Sequence, residues 1–200
     1  MSARTLHRKY IVPILQLGAP SLRKKAAAVA ITEIHASRTK RLIQELADTL
    51  RETEHGIAIA APQVGAGVQI FLVLESVYQA HTDEAETPAD PKEARAKKRQ
   101  EHYMAFINPR IVRHAKKTAL LEEGCLSVEG QYGKVRRYEK VTVRAIDENG
   151  KLFTRGASGL FAQVIQHETD HLSGVLFVDR ATELYPQRPA HRGAKTHAHA

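Results

Sequence analysis

Two histidines and a glutamate near the C-terminus carry the clearest chemical signal in this sequence of 200 residues. His167, Glu168 and His171 form the pattern His-Glu-x-x-His. Residues four apart on a helix lie one turn above each other, so two imidazoles at this spacing can hold one metal ion, with the intervening glutamate beside it. The pattern therefore predicts a functional metal site.

A helix over about 158–172 would position these three residues. Ser158 is a suitable N-cap, and Gly174 stands where the helix would end. Leu160 and Val164 fall on the same helical face as the two histidines. This periodicity predicts that the histidines face the inner side of the helix rather than open water.

Cys125 is the only cysteine, and it is the natural third ligand. A catalytic metal site needs a third protein ligand and an open position for water or substrate. The thiolate of Cys125 would complete a set of two histidines and one cysteine, although a lone cysteine is more often a small buried hydrophobe. A single cysteine also excludes an intramolecular disulfide and favours a reducing compartment.

The rest of the pattern predicts an α+β fold. Apolar residues at helical spacing predict an amphipathic helix over 37–54. Short runs rich in β-forming residues predict strands at 68–74, 106–112, 141–146 and 152–154. Residues 147–150, with the sequence Asp-Glu-Asn-Gly, predict a hairpin turn before the last of these. The order of helix, strands and helix indicates a helix packed against antiparallel sheet.

Length and composition predict a single catalytic domain over 1–184. Residues 82–102 are rich in Ala, Lys, Glu and Pro and almost lack apolar anchors, so they are expected to form an exposed charged insertion, partly helical or disordered. Residues 185–200 have no apolar pattern and are expected to be a disordered tail.

The chain is strongly basic, with a formal net charge of +8 and a pI near 9.7. Such a charge favours a polyanionic neighbour such as ribosomal RNA, although an ordinary basic soluble protein fits as well. The sequence shows no signal peptide and no apolar stretch near the ~20 residues that span a bilayer. We therefore expect a cytoplasmic protein with no membrane partner.

Three segments, taken together, resemble the motifs of the peptide deformylases: Gly-Ile-Ala-Ile-Ala-Ala-Pro-Gln at 56–63, Glu-Gly-Cys-Leu-Ser at 123–127, and Gln-His-Glu-Thr-Asp-His-Leu at 166–172. The likeness extends over about 11–180. It implies an α+β fold with antiparallel sheets packed around a C-terminal metal-binding HExxH helix. It also implies a hydrolase that removes the N-formyl group from the N-formylmethionine of newly made polypeptides and releases formate.

The resemblance implies a role for each matching residue. Cys125, His167 and His171 would hold one divalent metal ion. The ion is usually iron(II) in this family, although zinc, nickel or cobalt can occupy the same ligands. Glu168 would be the general acid and base. Nascent N-formylmethionyl peptides are then the expected partner, and the ribosome surface is a second candidate.

The same resemblance implies the groups that bind substrate. The side-chain amide of Gln63 and the backbone N–H of Leu126 would stabilise the oxyanion of the tetrahedral intermediate. Further residues are expected to contact the substrate: Gly56, Ile57, Gly124, Tyr132 and Gln163. The sequence departs from the family pattern at Ala58, where a second glycine is usual, and at Tyr132, where many members carry an arginine. Both changes are expected to affect which substrate side chain is preferred.

Two other functions fit parts of the sequence. A zinc peptidase would use the same histidines with a carboxylate as third ligand, but it leaves the Glu-Gly-Cys-Leu-Ser segment and Gln63 unexplained. A basic ribosome-associated binding module with a residual metal site would be favoured by the loss of Glu168 or Cys125. Both residues are present.

Overall fold

A computed structural model describes residues 10–79 and 90–186 of the chain. Its helices are α1 (Ser37–Glu52), α2 (Glu75–Gln79), α3 (Pro91–Gln100) and α4 (Gly159–Leu172). Its strands are β1 (Ala58–Ala60), β2 (Ile70–Leu74), β3 (Tyr103–His114), β4 (Thr118–Cys125), β5 (Val128–Tyr138), β6 (Lys140–Ile146), β7 (Leu152–Ser158) and β8 (Ala181–Pro186). The described residues form a mixed fold of helices and antiparallel sheets.

Two sheets organise the described part of the chain. The larger has five strands in the order β1-β2-β3-β6-β7, and the smaller has three in the order β4-β5-β8. All the strand pairs within them are antiparallel. The hairpin of β6 and β7 turns at Asp147–Gly150, where the backbone N–H of Gly150 donates to the carbonyl of Asp147. The predicted turn is therefore confirmed.

The five-stranded sheet lies between α4 and α1, and β2 shows why. Phe71 and Val73 pack into the cluster that contains the apolar side of α4. Ile70, Leu72 and Leu74 alternate with them and pack into the cluster around α1. Because strand side chains alternate between faces, a strand covered on both sides must be apolar throughout. Each such buried side chain contributes about 1.5–3 kcal/mol to stability.

Helix α4 begins at Gly159, after Ser158, and ends at Leu172, as the sequence predicts. The chain then turns at Gly174, which has a φ of +76°. A Cβ atom there would lie 2.6 Å from the carbonyl oxygen of Arg23, so both conformation and space require glycine.

Of the two apolar residues expected on the inner face of α4, Val164 is buried, but Leu160 is 51% exposed. The inward placement of Leu160 is therefore wrong.

The sequence misses four strands: β1 of the larger sheet, and β4, β5 and β8, which make up the smaller sheet. The expected tail boundary also falls inside β8, because Tyr185 pairs with Tyr132 and Pro186 pairs with Gln131. The remaining tail, 187–200, lies outside the described residues. In the expected insertion, Pro91–Gln100 is helical, as allowed for, whereas 80–89 is not among the described residues. No helix in the described part is long and apolar enough to cross a bilayer.

Candidate active site

Cys125 ends strand β4 at an irregularity in the β4–β5 ladder. The register shifts between Gly124 and Cys125, so Cys125 pairs with Val128 across a tight connection. Such a bulge re-aims the side chain that follows it. The backbone N–H of Ser127 lies 3.4 Å from the Cys125 sulfur, and Nε2 of His171 lies 3.3 Å from it. The thiol is therefore brought against helix α4, as a third ligand requires.

The two histidines of α4 face this sulfur. The ring centroids of His167 and His171 are 4.9 Å apart, as expected for residues one helical turn apart. One ligand atom from each histidine and the sulfur of Cys125 all lie within 4.8 Å of one another. One thiolate and two imidazoles are a donor set that late divalent metal ions accept. The geometry fits a metal ion with these three protein ligands.

The carboxylate of Glu123 orients His167. Its Oε2 atom lies 2.9 Å from Nδ1 of His167. When Nδ1 carries the ring proton and donates a hydrogen bond to Glu123, Nε2 has a free lone pair with which to bind a metal ion. Glu123 also accepts two hydrogen bonds from Arg137, of 2.7 and 2.9 Å. Burial alone would raise the pKa of Glu123, but the hydrogen bonds from Arg137 and His167 outweigh it and lower the pKa to about 2.

Arg137 joins this carboxylate to a second buried acid. Its guanidinium group is 2.6 Å from Asp170, which also binds Arg180 at 2.7 Å. The side chains of Arg137 and Glu123 are only 4% and 3% exposed. The network thus ties β4 and β5 to the helix that carries the histidines. Arg137 and Asp170 are not among the site residues that the sequence predicts.

Glu168 lies beside the histidines, buried and incompletely paired. The residue is 4% exposed, and its Oε2 atom has no hydrogen-bond partner among the described residues. Burial raises the pKa of Glu168 to about 7. Burial also lowers the pKa of His171, so its ring is neutral, which is the form that binds a metal ion. A carboxyl group with a free oxygen and a pKa near neutrality can accept and release a proton.

Gln63 is held rigidly on the other side of Cys125. It belongs to the 3-10 helix Ala61–Val64. Its Oε1 atom accepts a 2.8 Å hydrogen bond from the backbone N–H of Ala60. This bond turns Nε2 towards the site, where it donates to Ser127 Oγ at 3.1 Å and lies 3.7 Å from the sulfur of Cys125. An amide donor therefore sits next to the three potential ligands.

A cavity of about 580 Å³ opens beside these groups. Cys125, His167, Glu168 and Gln63 all contribute to its wall. All the residues expected to contact substrate also line it: Gly56, Ile57, Gly124, Leu126, Tyr132 and Gln163. The structure therefore brings together every site residue that the sequence singles out. Ser127 and Gln16 were not singled out, although Gln16 donates through Nε2 to the carbonyl of Leu126 at 3.0 Å.

Two glycines of the cavity are required by neighbouring side chains of the protein. A Cβ atom on Gly124 would lie 2.9 Å from the ring of Tyr132. A Cβ atom on Gly56 would lie 2.9 Å from Cδ1 of Leu126 and would also clash with Thr53. Ala58, where the family usually has glycine, is not among the positive-φ residues, so its methyl group is accommodated.

Comparison with known proteins agrees with this geometry. The family model described as polypeptide deformylase matches residues 11–187. The chain belongs to the peptide deformylase family. This membership confirms the family and the enzyme class that the three deformylase motifs predict, and it makes the chain a hydrolase.

Relatives in the deformylase family cover most of the chain. The peptide deformylase of Halothermothrix orenii is 38% identical over 176 residues, which cover 86% of this chain and 97% of that protein. The chloroplastic peptide deformylase 1A of Solanum lycopersicum is 37% identical over 175 residues, and the match covers 86% of this chain but 61% of that longer protein.

Solved deformylase structures have the same fold. The class I type b peptide deformylase of Acinetobacter baumannii, with Met-Ala-Ser bound, matches with a TM-score of 0.70 at 28% identity and covers 86% of this chain and 99% of that one. The Synechococcus elongatus deformylase in complex with actinonin matches with a TM-score of 0.68 at 33% identity, over 92% of this chain and 85% of that one.

Proposed function

We propose that the protein hydrolyses the N-formyl group of N-formylmethionyl polypeptides to formate and a free amine, with one divalent metal ion held by Cys125, His167 and His171. The observation that carries the proposal is that the sulfur of Cys125 on β4 and one ring nitrogen from each histidine of α4 lie within 4.8 Å of one another, beside a cavity of about 580 Å³. Membership of the deformylase family and the relative with bound Met-Ala-Ser support the same chemistry.

Iron(II) is the proposed physiological metal, as the family resemblance implies, and zinc, nickel or cobalt would fit the same ligands. A thiolate with two imidazoles suits all of these ions. Three protein ligands match the pattern of catalytic sites, which keep a further position for water or substrate. The carboxylate of Glu123 supports the assignment of His167 as a metal ligand. Metal-binding histidines commonly donate a hydrogen bond from their second ring nitrogen to a carboxylate.

Glu168 is the proposed proton carrier. When bound, the divalent ion supplies Lewis acidity, because it lowers the pKa of water and polarises a carbonyl group. Glu168 accepts a proton from the attacking water as the water oxygen adds to the formyl carbon. The same carboxyl group then protonates the leaving amine, and the C–N bond breaks to give formate. The Oε2 atom of Glu168 supports this role, since it has no hydrogen-bond partner within residues 10–79 and 90–186.

Gln63 and Leu126 are the proposed donors to the oxyanion. The hydrogen bond from Ala60 fixes the amide of Gln63 so that Nε2 points towards Cys125. Leu126 follows Cys125 directly, and its carbonyl is held by Gln16, which orients the adjoining peptide units. Donors fixed in advance stabilise a developing negative charge without reorganisation.

The remaining cavity residues are proposed to bind the formylmethionyl peptide. Gly56, Ile57, Gly124 and Tyr132 all line this cavity. Gln163 is anchored by a 2.7 Å hydrogen bond to the carbonyl of Glu122. The ring of Tyr132 packs against Gly124, so an aromatic group occupies the place where many family members carry an arginine. Tyr132 is therefore expected to shape the preference for the substrate side chain.

A single catalytic domain remains our proposal for the described residues. Both sheets contribute to one site, because Cys125 comes from the three-stranded sheet and Ala58 of the five-stranded sheet also lines the cavity. The cytoplasmic location also remains a prediction, since plant relatives carry names that place them in chloroplasts.

Formate release tests this function. The protein would be purified without oxygen, loaded with iron(II) and given formyl-Met-Ala-Ser, with acetyl-Met-Ala-Ser as the matched control. Formate without acetate is the expected result, because the site holds a small formyl group against the metal ligands. If fully metal-loaded protein releases no formate, the proposed function is wrong and the binding module becomes the better account.

A further inference from the structure

The face of the five-stranded sheet opposite α4 is covered by the α1 cluster over β1 and β2, but it carries exposed cations on β3 and β6. Strands β3, β6 and β7 contain no aspartate or glutamate. The side chains of Val143 and Ala145 on β6 pack inwards against the cluster around α4. The alternating positions on β6 therefore point to the opposite face. Lys140 and Arg144 occupy these outward positions, and both are exposed.

Strand β3 adds two more cations beside them. Arg110 pairs with Arg144, and Arg113 pairs with Thr142, so both arginines share the outward face of β6. Both are exposed. The four residues, Arg110, Arg113, Lys140 and Arg144, are called the basic sheet face below. None of them lines the cavity that contains Cys125.

The pairing of Arg110 with Arg144 does not stabilise the fold. Like charges placed directly opposite each other on antiparallel strands destabilise a sheet. Neither arginine forms an ion pair within the described residues, and the nearby Glu139 is paired with Lys117 at 2.9 Å. An anion bound between the two guanidinium groups would relieve the repulsion. The arrangement therefore suggests a ligand that carries negative charge.

The surface between the cations is open. Gly156 pairs with Thr142 on the adjoining strand, and a Cβ atom at Gly156 would meet nothing within 4 Å. Its neighbours on this face, Thr142 and Thr154, are small and uncharged, and Thr154 pairs with Arg144. Neighbouring strands lie ~4.8 Å apart, so the cations form a flat array that an extended polyanion can approach.

We propose that the basic sheet face binds the phosphate backbone of RNA. Three of the four cations are arginines, whose planar guanidinium groups bind phosphate oxygens in pairs. The formal charge of +8 on the whole chain favours the approach of a polyanion. The choice of RNA rests on the proposed function, because a polypeptide under synthesis is attached to an RNA-containing particle. An anionic membrane fits less well, because interfacial binding needs a broad apolar surface. On β3, β6 and β7, the exposed large apolar side chains are Val112 and Leu152 alone.

Matched charge variants test this proposal. In the first, Arg110→Gln and Arg144→Gln remove two cations from the basic sheet face. In the control, Lys92→Gln and Lys97→Gln remove two exposed cations from α3, so both variants lose the same net charge. Binding to a fluorescent RNA hairpin is measured by anisotropy between 50 and 200 mM salt, with the metal-loaded full chain.

The sheet variant should bind the RNA at least about tenfold less tightly at 100 mM salt. The magnitude of its slope of log affinity against log salt should fall by about 1.8, because two phosphate contacts are lost and each contributes ~0.9 for a duplex. The α3 variant should bind within about twofold of the unmodified protein. Equal weakening in both variants, or no binding of RNA by the unmodified protein, would overturn the proposal. Binding to phosphatidylglycerol vesicles but not to RNA would overturn it in favour of a membrane.

A charge reversal separates recognition from folding. Arg110→Glu places a carboxylate opposite Arg144, so the melting temperature should stay the same or rise while RNA binding is lost. Retained RNA binding in this variant would contradict the proposal. Formate release is measured on the same samples and should be unchanged, because these residues lie outside the cavity. A lack of formate in every sample would refute the proposed function and leave the RNA result standing.

Discussion

His167 and Glu123 meet at 2.9 Å, between Nδ1 of the ring and Oε2 of the carboxylate. The contact joins α4, which supplies two potential metal ligands, to β4, which supplies the third. Glu123 lies two residues before Cys125 and is itself held by Arg137. One carboxylate therefore fixes the ring orientation of His167 and the strand that carries the cysteine.

Removing the charge of Glu123 should weaken metal binding. Glu123→Gln keeps the size of the side chain but gives a weaker acceptor for His167, and losses of this kind typically cost about 10–100-fold in metal affinity. Competition with a coloured chelator measures the change. Glu122→Gln is the control, because Glu122 is exposed and does not contact the histidines. Equal affinities for Glu123→Gln and the unmodified protein would show that this carboxylate does not support the metal.

Removing Arg137 should destabilise the fold. Arg137→Met leaves Glu123 and Asp170 buried without their shared cation, and breaking a buried pair in this way costs about 3–5 kcal/mol. Urea unfolding followed by circular dichroism, at matched metal content, measures the free energy of unfolding. Arg136→Met provides the control, because Arg136 is exposed on the same strand and should lose less than about 1 kcal/mol. A similar loss in both variants would argue against a structural role for the buried network.

Gln63 should matter for turnover more than for metal binding. Gln63→Met removes the proposed amide donor, and loss of one such donor typically lowers kcat by about 10²–10³. The rate of formate release and the metal content are measured together. Gln131→Met serves as control, because Gln131 lines the same cavity but is exposed and is not one of the proposed oxyanion donors. A normal kcat in Gln63→Met would remove this residue from the oxyanion site.

A methyl group on Gly56 should cost stability. Gly56→Ala pushes against Thr53 and Leu126, and overpacking of this kind costs about 1–3 kcal/mol. Gly67→Ala is the matched change, since a Cβ atom at Gly67 meets nothing within 4 Å. Thermal unfolding of the two variants gives the comparison. If Gly56→Ala melts no lower than Gly67→Ala, the space around Gly56 is larger than the structure shows.

Local pattern predicts the elements that follow one clear period. The HExxH residues need only the spacing of four that a helix brings to one face, and α4 confirms it. Strand β2 can be predicted in the same way, because a run of five apolar residues is the pattern of a strand that is buried on both faces. Both features depend on neighbours in sequence, so they can be read without knowing the fold.

The smaller sheet could not be predicted in the same way. Strand β4 mixes exposed, half-buried and buried positions and contains Glu122 and Glu123, which strands generally disfavour. Its strand conformation depends on pairing with β5 on one side. The pairing of Arg137 with Glu123 depends on that register, and the pairing of Arg137 with Asp170 depends on how α4 packs, so the sequence alone gives no sign of either.

Glu168 provides the most direct test of the proposed catalytic site. Glu168→Gln keeps the size of the side chain but cannot carry a proton, so formate release from formyl-Met-Ala-Ser should fall by at least about 10²–10⁴-fold while metal content stays equal to that of the unmodified protein. Both proteins would be loaded with iron(II) and assayed side by side. A metal-loaded Glu168→Gln variant with near-normal turnover would contradict the assignment of Glu168 as the proton carrier.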